Sequence, residues 1–276
     1  MRRCCGKRRG RQDRRRSAGA SAARRHGLPL ARTAATEDAK RIADSPAEAG
    51  LTVLSTLGVM EALRALAPRF EQETGLRIAA DFAPTQSLLG RMAAGETADL
   101  AILTETAIEA LMARGLLLPG SRVDLARSFV GIAVRAGAPR PDIGSAAAVT
   151  RTLLAARSIA YSRAGASGIF FADLIRRLGI EAAVNAKAVI IPEGLTGALV
   201  ARGEAELAVQ QVSELMAVPG IDILGRLPAE IAGITTFSGG VLAGARQPEA
   251  ARALLAFLAA PAHRATFAEG GLEPAF

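Results

Sequence analysis

From Leu51 onward the hydrophobic positions follow two rhythms that alternate along the chain. LTVLS (51–55) is a short, strand-like apolar run. After Gly58, residues Val59, Met60, Leu63, Leu66, Ala67 and Phe70 recur at the spacing of one helix face, and Gly75 closes the segment. The succession continues with LRIAADF (76–82) as a strand, TQSLLGRMAAG (85–95) as a helix and ADLAIL (98–103) as a strand. A further helix is predicted around Ile108, Leu111 and Met112. Unbroken apolar strands alternating with amphipathic helices predict a parallel sheet covered on both faces.

SFVGIAVRAG (128–137) reads as a long strand that leads into the proline-containing APRPD (138–142). The alternation then restarts. It runs through a helix near 146–156, the strand SIAYS (158–162), a helix over 167–178, the strand AVII (188–191), a helix over 195–202 and the strand ELAVQ (206–210). ITTFSGGVLAG (234–244) is a last strand, and Pro248 and Pro261 each stand where a proline suits a first helical turn. Two similar halves predict an α/β fold of two doubly wound lobes joined by two hinge strands. Lobe one is expected over 51–132, completed by 238–276, and lobe two over 133–237.

Charge changes the picture only at the N-terminus. Residues 1–50 hold 14 Lys and Arg against 5 Asp and Glu, whereas the remaining 226 hold 20 against 21, so the net charge of +8 belongs to a tail. Rich in Arg, Gly, Ala and Ser, this tail is predicted to be disordered. A basic tail without aromatic residues is a weak nucleic-acid signal, and no specific nucleic-acid partner is expected. Both cysteines, Cys4 and Cys5, and one histidine, His26, fall in it. The rest of the chain then has no thiol, and His263 belongs to no ligand-spaced cluster, so neither a metal site nor a cofactor is expected. No recognisable export signal stands in the first 50 residues.

In open α/β sheets, ligands bind beyond the carboxyl ends of strands, where helix N-termini present free N–H groups. Small neutral donors collect at such places here: Ser55 and Thr56, then Thr85, Gln86 and Ser87, then Ser167 and Gly168, then Leu195 and Thr196, then Gln210 and Gln211. Taken alone, each hydroxyl reads first as a helix cap, and only the convergence of several junctions points to a site. Together they suit a deprotonated oxyanion, which only accepts hydrogen bonds. The junctions considered offer no nucleophile, acid/base pair or metal, so the expectation is a binding protein and not an enzyme. Glu193, the nearest carboxylate, reads as a solvated loop residue.

Five segments carry a resemblance: LSTLGVMEALRALAPRFEQETG, FAPTQSLLGRMAAGETADLAIL, AGASGIFFADLIRRLG, EGLTGALVARGEAELAVQQVSEL and ALLAFLAAPAHRATFAEGGLEP. In these the chain resembles the periplasmic molybdate-binding proteins of ABC importers, over essentially 51–276. The resemblance implies a type 2 periplasmic-binding-protein fold, a periplasmic location, a membrane permease of the ABC class as partner, and a monomer. It implies a molybdate- or tungstate-like oxyanion in the interlobe cleft. The family's two serines would fall at Thr56, with Ser55 beside it, and within Thr85, Gln86 and Ser87; its main-chain donors would fall at Ser167 and Leu195. Its tyrosine falls at Gln211, a departure that changes the donor. An effector-binding regulator domain of the same fold, or a binding protein for a different small solute, is the alternative reading.

Overall fold

The computed structural model describes residues 50–276, so the basic tail with Cys4, Cys5 and His26 lies outside the described residues. The first β-α-β-α-β series consists of β1 (Leu51–Ser55), α1 (Met60–Thr74), β2 (Ile78–Phe82), α2 (Thr85–Ala93), β3 (Leu100–Thr104) and α3 (Glu105–Ala113). A short 3-10 turn, Leu57–Val59, precedes α1. Gly75 ends α1 in the left-handed conformation (φ 74°), where its N–H bonds Glu71 O and only a residue without Cβ sits without strain. Strands β2, β1 and β3 are parallel neighbours.

β4 (Val123–Arg135) then runs for 13 residues through both halves of the molecule. Its first part, Val123–Phe129, pairs antiparallel with β9 (Ile234–Val241). Its second part, Val130–Arg135, pairs with β7 (Leu207–Gln211) and β8 (Ile221–Arg226). The sequence of β4 explains the division: VDLARSF is interrupted by polar residues, while VGIAV is apolar throughout and buried on both faces. The second series comprises α4 (Ala146–Ala155), β5 (Ile159–Ser162), α5 (Ala166–Arg177), α6 (Glu181–Asn185), β6 (Ala188–Ile191), α7 (Thr196–Ala201), β7 and α8 (Val212–Met216). After β9 come α9 (Pro248–Leu258), a 3-10 turn Pro261–His263, α10 (Arg264–Glu269) and the two-residue β10 (Glu273–Pro274), which pairs with β4.

The strand order β2-β1-β3-β9-β4-β7-β5-β6, with β8 and β10 also on β4, is one curled mixed sheet. The purely parallel sheet read from the sequence gives way to antiparallel pairing wherever β4 and β9 take part. Four apolar clusters cover it. Leu66, Phe70, Ile102, Phe237 and Leu255 centre one face of the first lobe, and Leu54, Leu88, Leu103 and Ile108 the other. In the second lobe Ile132, Tyr161, Phe171 and Val209 centre one face, and Ala160, Val200 and Leu215 the other. The closing helix α9 packs on α1 and β9, in the first lobe.

Two buried polar groups tie distant segments together. Asp99 accepts hydrogen bonds from Thr52 N and Oγ1 (2.9 and 2.7 Å) and from the N–H groups of Arg246 and Gln247 (2.7 and 3.0 Å). Burial pushes its carboxyl up, yet these donors hold it below the usual range. His263 is buried against the Phe257 ring with Nδ1 2.6 Å from Phe257 O.

Candidate functional site

The carboxyl ends of β2, β3 and β5 and the start of β9 open on one cleft of about 410 Å³. Thr85 and Gln86 enter it from the start of α2, Thr104, Glu105 and Thr106 from the β3–α3 junction, and Ala164 and Ala166 from the β5–α5 junction. Ile169 and Phe170 of α5 and Ile234, Thr235 and Thr236 of β9 complete the wall. The volume lies within the range of about 300–1,000 Å³ common for small-molecule sites. A larger hollow of about 830 Å³ lies at the far end of the second lobe, but Arg157 there is paired to Glu206 and Arg140 donates to Ile223 O.

Three helices of nine residues or more begin at the cleft: α2, α3 and α5. None has a side-chain cap, because Pro84 and Gly165 have no hydroxyl and Thr104 turns instead toward Thr106 Oγ1 (3.3 Å). By contrast Ser145, remote from the cleft, caps α4 by accepting from Ala148 N–H. First-turn N–H groups lack intrahelical partners, so three positive helix ends face this space. Gly168 allows the last of them to come close. A Cβ there would lie 1.3 Å from Ser162 O, so only glycine lets α5 pack against the end of β5.

Two buried side-chain atoms among the described residues lack any hydrogen-bond partner, Thr85 Oγ1 and Gln211 Oε1. Thr85 is 4% exposed and lines the cleft. Gln211 reaches the cleft through Thr235, whose Oγ1 accepts from Gln211 Nε2 at 2.8 Å. Buried polar atoms left without a protein partner beside a cleft are open to a partner supplied by a ligand or an ordered water. Gln210 is different: its oxygen accepts from Thr196 N and Oγ1 (2.7 and 2.8 Å), and its nitrogen donates to Gly194 O (3.2 Å) and to the Glu214 carboxyl. It anchors the 194–196 turn and has nothing left for a ligand.

Of the residues read from the sequence, Thr85 and Gln86 line the cleft and Gln211 adjoins it. Ser55 and Thr56 are buried at the end of β1, where Ser55 Oγ donates to Thr56 O, and Ser167 is buried in the first turn of α5. Ser87 and Leu195 are half-buried, and these last five are not among the lining residues. Glu193 is exposed and also outside the lining.

Sequence reasoning missed Thr104–Thr106 and Ile234–Thr236. The signal was present, since TET follows the strand ADLAIL as another strand-to-helix junction. Glu105 is the important omission. Arg122 Nη2 donates to Glu105 Oε1 at 2.6 Å, while its other nitrogens hold Glu109 (2.9 Å) and Asp124 (2.9 Å). Asp124 in turn accepts from Ser238 Oγ at 2.7 Å. The Arg122 hydrogen bond, with help from Ser238 and against burial, holds the Asp124 carboxyl below its usual range.

This two-lobed α/β architecture with an interlobe cleft is the type 2 periplasmic-binding fold. Solved structures agree: the periplasmic molybdate-binding protein of Azotobacter vinelandii superposes with a TM-score of 0.67 at 18% identity, covering 80% of this chain and 98% of that one. The sulfate-binding protein SubI of Mycobacterium tuberculosis gives 0.66 at 16% identity, covering 83% and 88%. Residues 51–273 match the bacterial extracellular solute-binding proteins, and the chain belongs to that family. It is also 42% identical over 230 residues to an aconitate isomerase of a Pseudomonas species, covering 81% of this chain and 87% of the relative.

That likeness overturns the expectation that the chain is not an enzyme, because the relative is an enzyme by name. That expectation rested on an incomplete survey of the chain. It surveyed five strand-to-helix junctions and passed over the sixth, which brings a carboxylate into the cleft.

Proposed function

We propose that this chain binds aconitate, or a closely related small polycarboxylate, in the interlobe cleft and interconverts its isomers. The observation that carries this reading is the 42% identity to an aconitate isomerase across most of both chains. The likenesses to molybdate- and sulfate-binding proteins, at 16–18% identity, support the fold and leave the ligand open. Family membership supports a location outside the cytoplasm and a small-molecule ligand.

The chemistry of the cleft suits such a ligand. Aconitate is a propene bearing three carboxylates, groups that only accept hydrogen bonds once ionised. Uncapped N-termini of α2, α3 and α5 and the Thr85, Thr104, Thr106, Thr235 and Thr236 hydroxyls are donors of the required kind. The hydrocarbon backbone of the ligand has its own match in Ile169 and Ile234, which are 48% and 59% exposed in the cleft wall. Lobes that close on the ligand would cover both and exclude water.

The experiment is an NMR assay of the full chain with trans-aconitate, alongside calorimetric titration with aconitate, molybdate and sulfate. Appearance of the cis isomer and saturable aconitate binding are expected. Stabilisation by molybdate with neither binding nor turnover of aconitate would overturn the assignment in favour of an oxyanion carrier.

A further inference from the structure

Moving a double bond along a carbon chain needs a group that takes a proton from carbon and returns it. The hydroxyls and amide of the cleft wall are too weakly basic for that task, and among the described residues no histidine, cysteine, lysine or tyrosine lines it. Among the described residues, Glu105 is the one titratable residue in the lining. Arg122 holds its Oε1, and none of the described residues bonds its Oε2. The carboxylate is therefore oriented from behind by a guanidinium, with one oxygen open.

We infer that Glu105 is the catalytic base of this site, with Arg122 as its positioning residue. This rests on the isomerase reading above. Glu105 Oε2 takes a proton from the methylene carbon of aconitate. The electron pair of the broken C–H bond forms a new double bond to the central carbon, and the pair of the old double bond shifts to the far carbon. The far carbon then takes the proton back from the Glu105 carboxylic acid. No atom is gained or lost and nothing is oxidised. The outer carbons have exchanged roles, so the new double bond can close in either geometry.

Negative charge spreads onto the substrate carboxylates while the proton is on Glu105. The α2 N-terminus and Thr85, whose Oγ1 is buried and has no protein partner, stand in the same cleft to receive it. Arg122 serves orientation: it is fastened by Asp124 and Glu109 as well, and Asp124 by Ser238 of β9, so the base is tied to the hinge strands.

The test compares full-length wild type, Glu105→Gln and Glu105→Asp by turnover of aconitate, calorimetric affinity and melting temperature. Loss of a positioned base should lower kcat of the Gln variant by roughly 10²–10⁴-fold, with aconitate affinity and melting temperature close to wild type. The Asp variant should retain part of the activity. Turnover of the Gln variant within about threefold of wild type would remove Glu105 as the base. Loss of binding as large as the loss of turnover would make it a binding residue instead and overturn the inference. A wild type that binds no aconitate and converts none would overturn the functional reading itself, a result distinct from an active wild type with an active Gln variant.

Discussion

Gln211 Nε2 donates to Thr235 Oγ1 across 2.8 Å, joining the end of β7 to the start of β9, and leaves Gln211 Oε1 buried without a partner. The two ends of a carboxamide have nearly the same shape. Turned over, Oε1 accepts from the Thr235 hydroxyl and Nε2 stands at the orphaned position as a donor. An anionic ligand favours the second orientation.

Gln211→Glu should accordingly weaken aconitate binding more than Gln211→Ala. Removing the donor costs about 1.5–3 kcal/mol, roughly tenfold to hundredfold in affinity, and the carboxylate adds like-charge repulsion where water screens poorly. Calorimetric titration of the three proteins checks this. A Glu variant that binds as tightly as wild type would remove Gln211 from the ligand's surroundings.

Glu214 should make the protein less stable as pH rises toward neutrality. Its side chain is 8% exposed, and burial pushes its carboxyl from 4.5 up to about 7, against the opposing hydrogen bonds from Gln210 and the Gln211 N–H. Below about 4.5 both folded and unfolded chains keep the proton. Between about 4.5 and 7 the unfolded chain releases it while the folded chain holds it, so stability declines through this window by about 3 kcal/mol. Glu214→Gln should raise the melting temperature at pH 8 by more than at pH 5, at roughly 2–4 °C per kcal/mol. Equal shifts at the two pH values would count against a buried, titrating carboxyl.

Gly168→Ala should disrupt the cleft from the second lobe. Its Cβ would meet Ser162 O at 1.3 Å, with Ser162 Cα at 3.3 Å, so backbone and not a side-chain tip must move. A loss of about 2–4 kcal/mol is expected, with weaker aconitate binding as the 164–166 turn is displaced. Gly165→Ala is the control, since nothing lies within 4 Å of its added Cβ and its φ of −90° is open to any residue. Equal melting temperatures for the two variants would show that α5 gives way without cost.

The elements that repeat a plain rhythm were legible in the sequence. LTVLS, ADLAIL and SIAYS are unbroken apolar runs and form β1, β3 and β5. By contrast β8 (IDILGR) is half-exposed along most of its length, and its mixed composition gives no period. α8 has only five residues, too few for an apolar stripe to recur. Strand direction was illegible as well, because the partners of β4 on β9 stand more than a hundred residues away and local pattern does not encode so remote a pairing.

The same contrast runs through the site. Thr85 and Gln86 could be read from a strand-to-helix junction, but Thr235 and Thr236 face the cleft from the opening residues of β9, where no helix start follows to announce them. Glu105 sits where any acidic residue suits a first helical turn, and what distinguishes it is Arg122, which reaches it from outside its own helix.

β4 serves both lobes with one continuous backbone. Side chains alternate faces along a strand, so a single residue inserted near Phe129 would exchange the two faces for everything beyond it. Ile132 and Val134 would turn from the cluster around Tyr161 and Phe171 onto the opposite buried face, where the smaller Ala133 now packs with Ala160 and Leu215, while Leu125 stayed in place. The spacing between the two halves is thus a fixed integer, set by one strand's parity. The chain can lengthen at the exposed turn around Gly137–Arg140, but not at its hinge.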